Sequence, residues 1–106
     1  MAKVPDEIIR TINTLISELS KNDIPVEKAV LFGSYARGNF NSYSDIDLAL
    51  ISEKFIGNRF LDKELIRKYI VNVNTDISPV PFRPDDFNEN NLLAREILKE
   101  GIVITS

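Results

Sequence analysis

Cysteine and histidine are both absent from the 106 residues. Without cysteine there are no disulfides, thiolate nucleophiles, zinc–thiolate clusters or redox switches, and the chain suits a reducing compartment. Without histidine there is no Ser-His-Asp triad, no imidazole base and no HExxH metal site. The chemistry left to the chain belongs to carboxylates, lysine, arginine, tyrosine and hydroxyls, or to a hard cation held by oxygen ligands. Long apolar runs are missing too. Stretches such as Ile102-Val103-Ile104 are a few residues long, whereas a membrane span needs about 20. Met1 to Asp6 carries a proline and leads into amphipathic sequence, which does not read as a signal peptide. The expectation is a cytoplasmic protein without a membrane partner. Excess positive charge is also lacking: the net charge is −3, from 13 basic and 16 acidic residues. A module that grips a nucleic-acid backbone is expected to be basic, so direct nucleic-acid binding is disfavoured, although an acidic protein can hold one nucleotide through metal ions.

What is present is ordinary for a folded domain: 43% hydrophobic and 27% charged residues. The length fits one domain over residues 1–106, with one sizeable core and no room for a second. Pro5 suits the first turn of a helix, Asp6 and Glu7 suit its positive end, and Ile8, Ile12, Leu15, Ile16 and Leu19 recur at helical spacing. These residues predict a helix over Pro5 to Lys21. Val26 to Phe32 predicts a strand ending at Gly33-Ser34, with one helical turn before Gly38 and a polar loop from Asn39 to Ser44. Asp45 to Ile51 predicts the clearest strand. Ile46, Leu48 and Leu50 share one face; Asp45, Asp47 and Ala49 share the other. Phe60 to Ile70 predicts a helix with Leu61, Leu65 and Tyr69 four apart. Val71 to Val80 predicts a third strand, ended by Pro79, Pro81 and Pro84. A last helix capped by Asp85 or Asn88 runs to about Lys99 and stops at Gly101, and Ile102 to Thr105 is a short final strand. The order implies an α/β (α+β) domain, a small mixed sheet with helices packed on it.

One spacing stands out. Gly33-Ser34 follows a strand, and after ten intervening residues Asp45-Ile46-Asp47 opens the next. A glycine after a strand lets the backbone approach a phosphate, and the N–H groups entering a helical turn point at an anion. Ser34 adds a hydroxyl. The carboxylates of Asp45 and Asp47 project the same way from one strand, and hard cations between them would hold phosphate oxygens. Two carboxylates about 5 Å apart repel by roughly 3 kcal/mol at an effective dielectric near 20. Asp76 adds to that repulsion if its strand lies alongside. Cations reverse the sign, which makes a two-metal phosphoryl- or nucleotidyl-transfer site the chemically sensible reading. Taken separately, each half also has a plain reading, a solvated strand start and a simple turn. Gly33 and Gly38 have P-loop spacing, but Asn39 and Phe40 follow where lysine and a hydroxyl are needed, so a P-loop is rejected.

Leu31-Phe32-Gly33-Ser34-Tyr35-Ala36-Arg37-Gly38 and Ser44-Asp45-Ile46-Asp47-Leu48 together resemble the signature of the minimal nucleotidyltransferases, within the DNA polymerase beta-like nucleotidyltransferase superfamily. The resemblance implies that Gly33 and Ser34 bind the β- and γ-phosphates of a nucleoside triphosphate, by family habit ATP. It implies that Asp45 and Asp47 bridge two Mg²⁺ ions, with Asp76 as the third carboxylate, completing the nucleophile-side metal site and helping to deprotonate the attacking hydroxyl. Arg37 would neutralise the triphosphate; its plainer role is an ion pair anchoring the glycine turn. Asp76 likewise has a plain reading as a surface residue. Tyr35 and Phe32 are expected to pack.

Larger relatives carry a further helical domain for the acceptor, and this sequence ends about where the catalytic core ends. The expectation is an acceptor site supplied by a second copy or another protein. Family members of this size resemble the nucleotidyltransferase half of toxin–antitoxin pairs, whose partner is a small helical HEPN protein that receives AMP. Two alternatives stay open: a stand-alone enzyme acting on a small molecule, and a module that neutralises its partner by contact alone.

Overall fold

The computed structural model describes residues 4–104. Pro5 caps α1 (Asp6–Lys21), with Asp6 and Glu7 in the first turn and Lys21 in the last, so both ends suit the helix dipole. Ile8, Ile12, Leu15 and Leu19 are its buried stripe. β1 (Lys28–Phe32) leads through Gly33 into α2 (Ser34–Arg37), which ends at a left-handed Gly38. β2 (Ile46–Ile51), α3 (Arg59–Val73) and β3 (Ile77–Phe82) form a strand–helix–strand unit. One 3₁₀ turn (Pro84–Asp86) precedes α4 (Leu92–Glu100) and β4 (Ile102–Val103). Thr105 lies outside the described residues.

The four strands lie in the order β3-β2-β1-β4. β1 is antiparallel to both β2 and β4, and β2 is parallel to β3. The sheet is therefore mixed, as the α/β reading implied. Alternation along the strands divides the core. Leu31, Ile46, Leu48, Leu50 and Ile77 pack with α1 and α3 on one face. Val30, Ala49, Ile51 and Phe82 pack with Ala94 and Ile97 of α4 on the other.

Three expectations need correction. The third strand runs over Ile77–Phe82, not Val71 to Val80. Val71 and Val73 are β-branched and look strand-like, yet they finish α3, whose hydrogen bonding continues until Asn74 donates to the Ile70 carbonyl. Pro79 and Pro81 do not end the strand but lie within it. At its two ends the Ile46 and Ser52 N–H groups donate to the carbonyls of Asp76 and Phe82. The even-numbered residues thus face β2, and the prolines fall on the outward set of an edge strand, where a missing N–H breaks no ladder bond. Second, α3 buries Asp62, Ile66 and Ile70, while Leu61 and Leu65 are exposed. Asp62 turns inward because its carboxylate accepts the Ile56 and Gly57 N–H groups at 2.9 and 3.0 Å. It is not the solvated helix surface its neighbours Lys63 and Glu64 suggest. Third, the last helix is capped by Asn91, whose side chain accepts from the Ala94 N–H.

Candidate active site

Gly33 joins β1 to α2 with φ +73° and ψ −150°, a backbone conformation open to glycine and strained for other residues. A second constraint acts at the same atom. A Cβ on Gly33 would fall on Asp47 Oδ2, and it would meet Asp47 Cγ at 3.0 Å. The glycine turn and the second carboxylate of the Asp-x-Asp pair are thus packed against each other. The sheet explains how. Phe32 stands opposite Asp47 in the antiparallel ladder, so the residue after Phe32 lies over the Asp47 side chain. The turn is then held by α2: Arg37 and Gly38 N–H groups donate to the Gly33 and Ser34 carbonyls at 3.1 and 2.9 Å. The N–H groups of a helix's first turn have no partner within the helix, which leaves the Ser34 N–H without one there.

Asp45 stands one residue ahead of β2 and is exposed; Asp47 is half-buried beside Gly33. The Asp47 carboxyl titrates above its ordinary value, first because burial disfavours its charge and second because Asp45 repels it; Arg37 acts in the opposite direction. Asp76 is exposed in the turn before β3. Its N–H donates to Asn74 Oδ1 at 2.7 Å, and its carbonyl accepts the Ile46 N–H at 2.9 Å. Ile46 pairs with Ile77, so the register carried back one place sets Asp76 beside Asp45. Among the described residues, however, no three acidic side chains converge into a group able to hold a metal by themselves. Arg37 ends α2 and pairs with Glu100 of α4 at 3.5 Å, both about half exposed. Its structural ion pair exists, and its charge also reaches Asp47. Tyr35 is buried and stacks on Phe40 with ring centroids 4.6 Å apart, a packing residue as expected.

Magnesium suits this donor set. Two neighbouring carboxylates repel each other, one has a raised pKa, and neither forms an ion pair with lysine or arginine among the described residues. Hard oxygen donors without a counter-ion fit a hard divalent cation. Two residues of the site's framework were not legible beforehand. Glu100 is a charged residue in the last turn of α4, and nothing local marks its reach to Arg37, 63 positions away. Asn74 had a usable signal, since Asn-x-Asp before a strand is the sequence of an Asx turn.

The family model described as "Polymerase beta, Nucleotidyltransferase" matches residues 13–106. The chain belongs to this nucleotidyltransferase family. Two Methanocaldococcus jannaschii proteins are similar in sequence. One, named "Putative protein adenylyltransferase MJ1305", is 36% identical over 64 residues, 56% of this chain and 43% of its own length. The other, "Putative protein adenylyltransferase MJ0604", is 34% identical over 82 residues, 74% of this chain and 78% of its own length. The match therefore spans less than half of the first relative. In structure, a "putative nucleotidyltransferase" from Sulfolobus solfataricus superposes with a TM-score of 0.66 at 17% identity, over 92% of this chain and 78% of its own. A crystal structure described as the toxin-antitoxin with AMP-PNP gives 0.60 at 23%, over 92% and 73%. These two likenesses establish the nucleotidyltransferase fold.

Proposed function

We propose that this family member transfers a nucleoside monophosphate, AMP from ATP, to a hydroxyl group on a partner protein, and that it acts as the antitoxin of a HEPN-type toxin. The observation that carries the reading is the contact between Gly33 and Asp47. It sets the glycine turn and the carboxylate pair side by side, an arrangement that supports a triphosphate held there with its cations. The names of the two archaeal relatives, both protein adenylyltransferases, support a protein acceptor. The structural neighbour solved as a toxin-antitoxin with AMP-PNP supports a toxin partner and an adenine nucleotide.

In this reading Gly33 and Ser34 hold the β- and γ-phosphates through backbone N–H groups and the Ser34 hydroxyl. Asp45 and Asp47 hold two Mg²⁺ ions, with Asp76 as the third carboxylate. When bound, the metal ions polarise the α-phosphate, lower the pKa of the attacking hydroxyl and neutralise the departing pyrophosphate. Asp76 accepts the hydroxyl proton. Arg37 offsets negative charge beside Asp47, with Glu100 fixing its side chain.

The test mixes the chain with the product of its neighbouring gene, ATP labelled at the α-phosphate, and Mg²⁺. Label on the partner is expected, and an intact complex without label refutes the transfer. A second reading, neutralisation by contact alone, draws on the fact that no three carboxylates converge among the described residues. Under it, Asp47→Asn leaves neutralisation intact; under transfer, the same change abolishes it.

A further inference from the structure

α3 is apolar on two sides. Ile66 and Ile70 enter the core, yet Phe60, Leu61 and Val71 are at least half exposed and Leu65 nearly so. Phe60 and Val71 stand three turns apart along one side, with Leu61 and Leu65, one turn apart, next to them. A helix with apolar residues all round is normally covered all round. A cleft of about 300 Å³ lies where this helix passes β3. Ile70, Val71, Ile77 and Pro79 line it, with Lys63 and Arg67 among them. Its one carboxylate, Glu64, pairs with Arg67 at 3.3 Å.

The charge on α3 is opposite to that of the chain. Arg59, Lys63, Arg67 and Lys68 give it four of the 13 basic residues, against two of the 16 acidic ones, Asp62 and Glu64. Asp62 is buried and Glu64 is engaged. Lys63 and Lys68 are exposed and have no carboxylate within ion-pair distance among the described residues.

We propose that α3 and this cleft dock an acidic amphipathic helix of another protein. The inference goes beyond the transfer reading and does not rest on it. A strand cannot add here, because Pro79 and Pro81 occupy the outward positions of β3 and supply no N–H. A helix needs no backbone donors from the surface and is held by side chains one turn apart. Its apolar residues meet Leu61, Leu65 and Val71, and its carboxylates meet Lys63, Arg67 and Lys68. A second copy of the same face would bring like charges together. Lipid surfaces and nucleic acids are anionic too, but they are extended. They would bring the acidic remainder of this chain within a Debye length of about 8 Å, whereas a single helix faces α3 alone.

The probe is a dye-labelled helical peptide with Leu at positions one turn apart and Glu elsewhere, titrated with the full chain and followed by fluorescence anisotropy. Two control peptides carry the same residues in scrambled order, or Lys in place of Glu. The acidic helix is expected to bind at least about tenfold tighter than either control, and more weakly as salt is added. Leu65→Glu should weaken it at least about tenfold. Lys63→Glu with Lys68→Glu should do the same and reverse the preference, so that the Lys peptide binds better. All three positions are exposed, and an unaltered urea midpoint shows that the variants fold. Equal binding of the acidic and scrambled peptides, no binding, or binding that survives both variants overturns the proposal. So does tighter binding to phosphatidylglycerol vesicles than to the peptide. A mass that doubles with concentration in light scattering, and returns to the monomer in Leu65→Glu, overturns it as well, because a second copy then covers the face. No nucleotide is present, so none of these outcomes touches the transfer reading.

Discussion

Asp47 carries two burdens in the free protein, loss of hydration and repulsion from Asp45. The folded state therefore holds a proton on this carboxyl more tightly than the unfolded chain does. Stability linked to Asp47 is present at low pH and falls as pH rises from the ordinary value of 3.8 through the higher native value. Asp47→Asn removes that dependence. In urea melts with a chelator present, the variant should gain on the wild type between pH 4 and pH 7; a gap that stays constant contradicts the assignment. Under the proposed function the same variant should lose at least about 100-fold in transfer rate, because the carboxylate would then be a metal ligand beside the phosphates. Gly33 offers a second test. Gly33→Ala forces an alanine into a glycine-only conformation and into the Asp47 carboxylate, which should destabilise the fold by about 1–3 kcal/mol. Asp47→Ala in the same chain clears the carboxylate but not the backbone strain. A double-mutant cycle should therefore show that the pair is less destabilised than the sum of its parts. Strict additivity would mean that the two residues do not touch. Local residue types made Gly33, Asp45 and Asp47 legible, because a turn glycine and paired carboxylates announce themselves at short range. Their mutual contact depended on strand register, which no single segment contains.

α1, β1 and β2 were readable because each carries its own periodicity and its own stop: Pro5 ahead of α1, Gly33 after β1, and Asp45 at the entry to β2. The segment from α3 to β3 was not, and Asp62 shows why. A carboxylate on an expected helix surface folds inward to accept two backbone N–H groups of the β2–α3 loop. α3 then presents Ile66 and Ile70 to the core, with Tyr69 packed at its margin and Leu65 exposed. A helix pattern blurred by apolar residues on two sides then runs into β-branched Val71 and Val73, which local propensity assigns to a strand. Asp62→Ala would leave the Ile56 and Gly57 N–H groups without this acceptor, at a cost of about 1–3 kcal/mol. Chemical denaturation should show it as a lower midpoint with an unchanged slope. A loss within error would mean that water replaces the carboxylate. The prolines of β3 raise a different question at the same scale. Pro79 and Pro81 sit on the outward set of the sheet's edge, where they block pairing with another strand. Pro79→Val restores an N–H donor there. It should leave the monomer fold intact and increase self-association, visible by light scattering as a mass that rises with concentration.

At the scale of the whole molecule, the candidate site depends on the end of β1 lying beside the starts of β2 and β3. The glycine turn follows β1, the carboxylate pair opens β2 and Asp76 leads into β3, so groups spread from Gly33 to Asp76 in sequence come from neighbouring strands of the sheet. Motif spacing alone could name them; only the parallel pairing of β2 with β3 brings Asp76 beside Asp45. In the free protein this arrangement stores repulsion, since the net charge is −3 and no cation pairs with the cluster among the described residues. Under the proposed function, magnesium and nucleotide together would remove it: the triphosphate would supply further oxygen ligands to the ions, and the ions would let its charge approach the carboxylates. Neither alone satisfies the site, so their effects on thermal stability should exceed the sum of the separate ones. A ligand at 100 times its Kd stabilises a fold by about 2.7 kcal/mol, which for a domain of this length raises Tm on the order of ten degrees. Calorimetric melts with Mg²⁺, with ATP, and with both should show a shift of that size only for the combination. Asp47→Asn should erase most of it while melting normally by itself. Equal shifts for ATP with and without Mg²⁺ would place the nucleotide somewhere other than beside the carboxylates, and the active site would have to be sought elsewhere on the molecule.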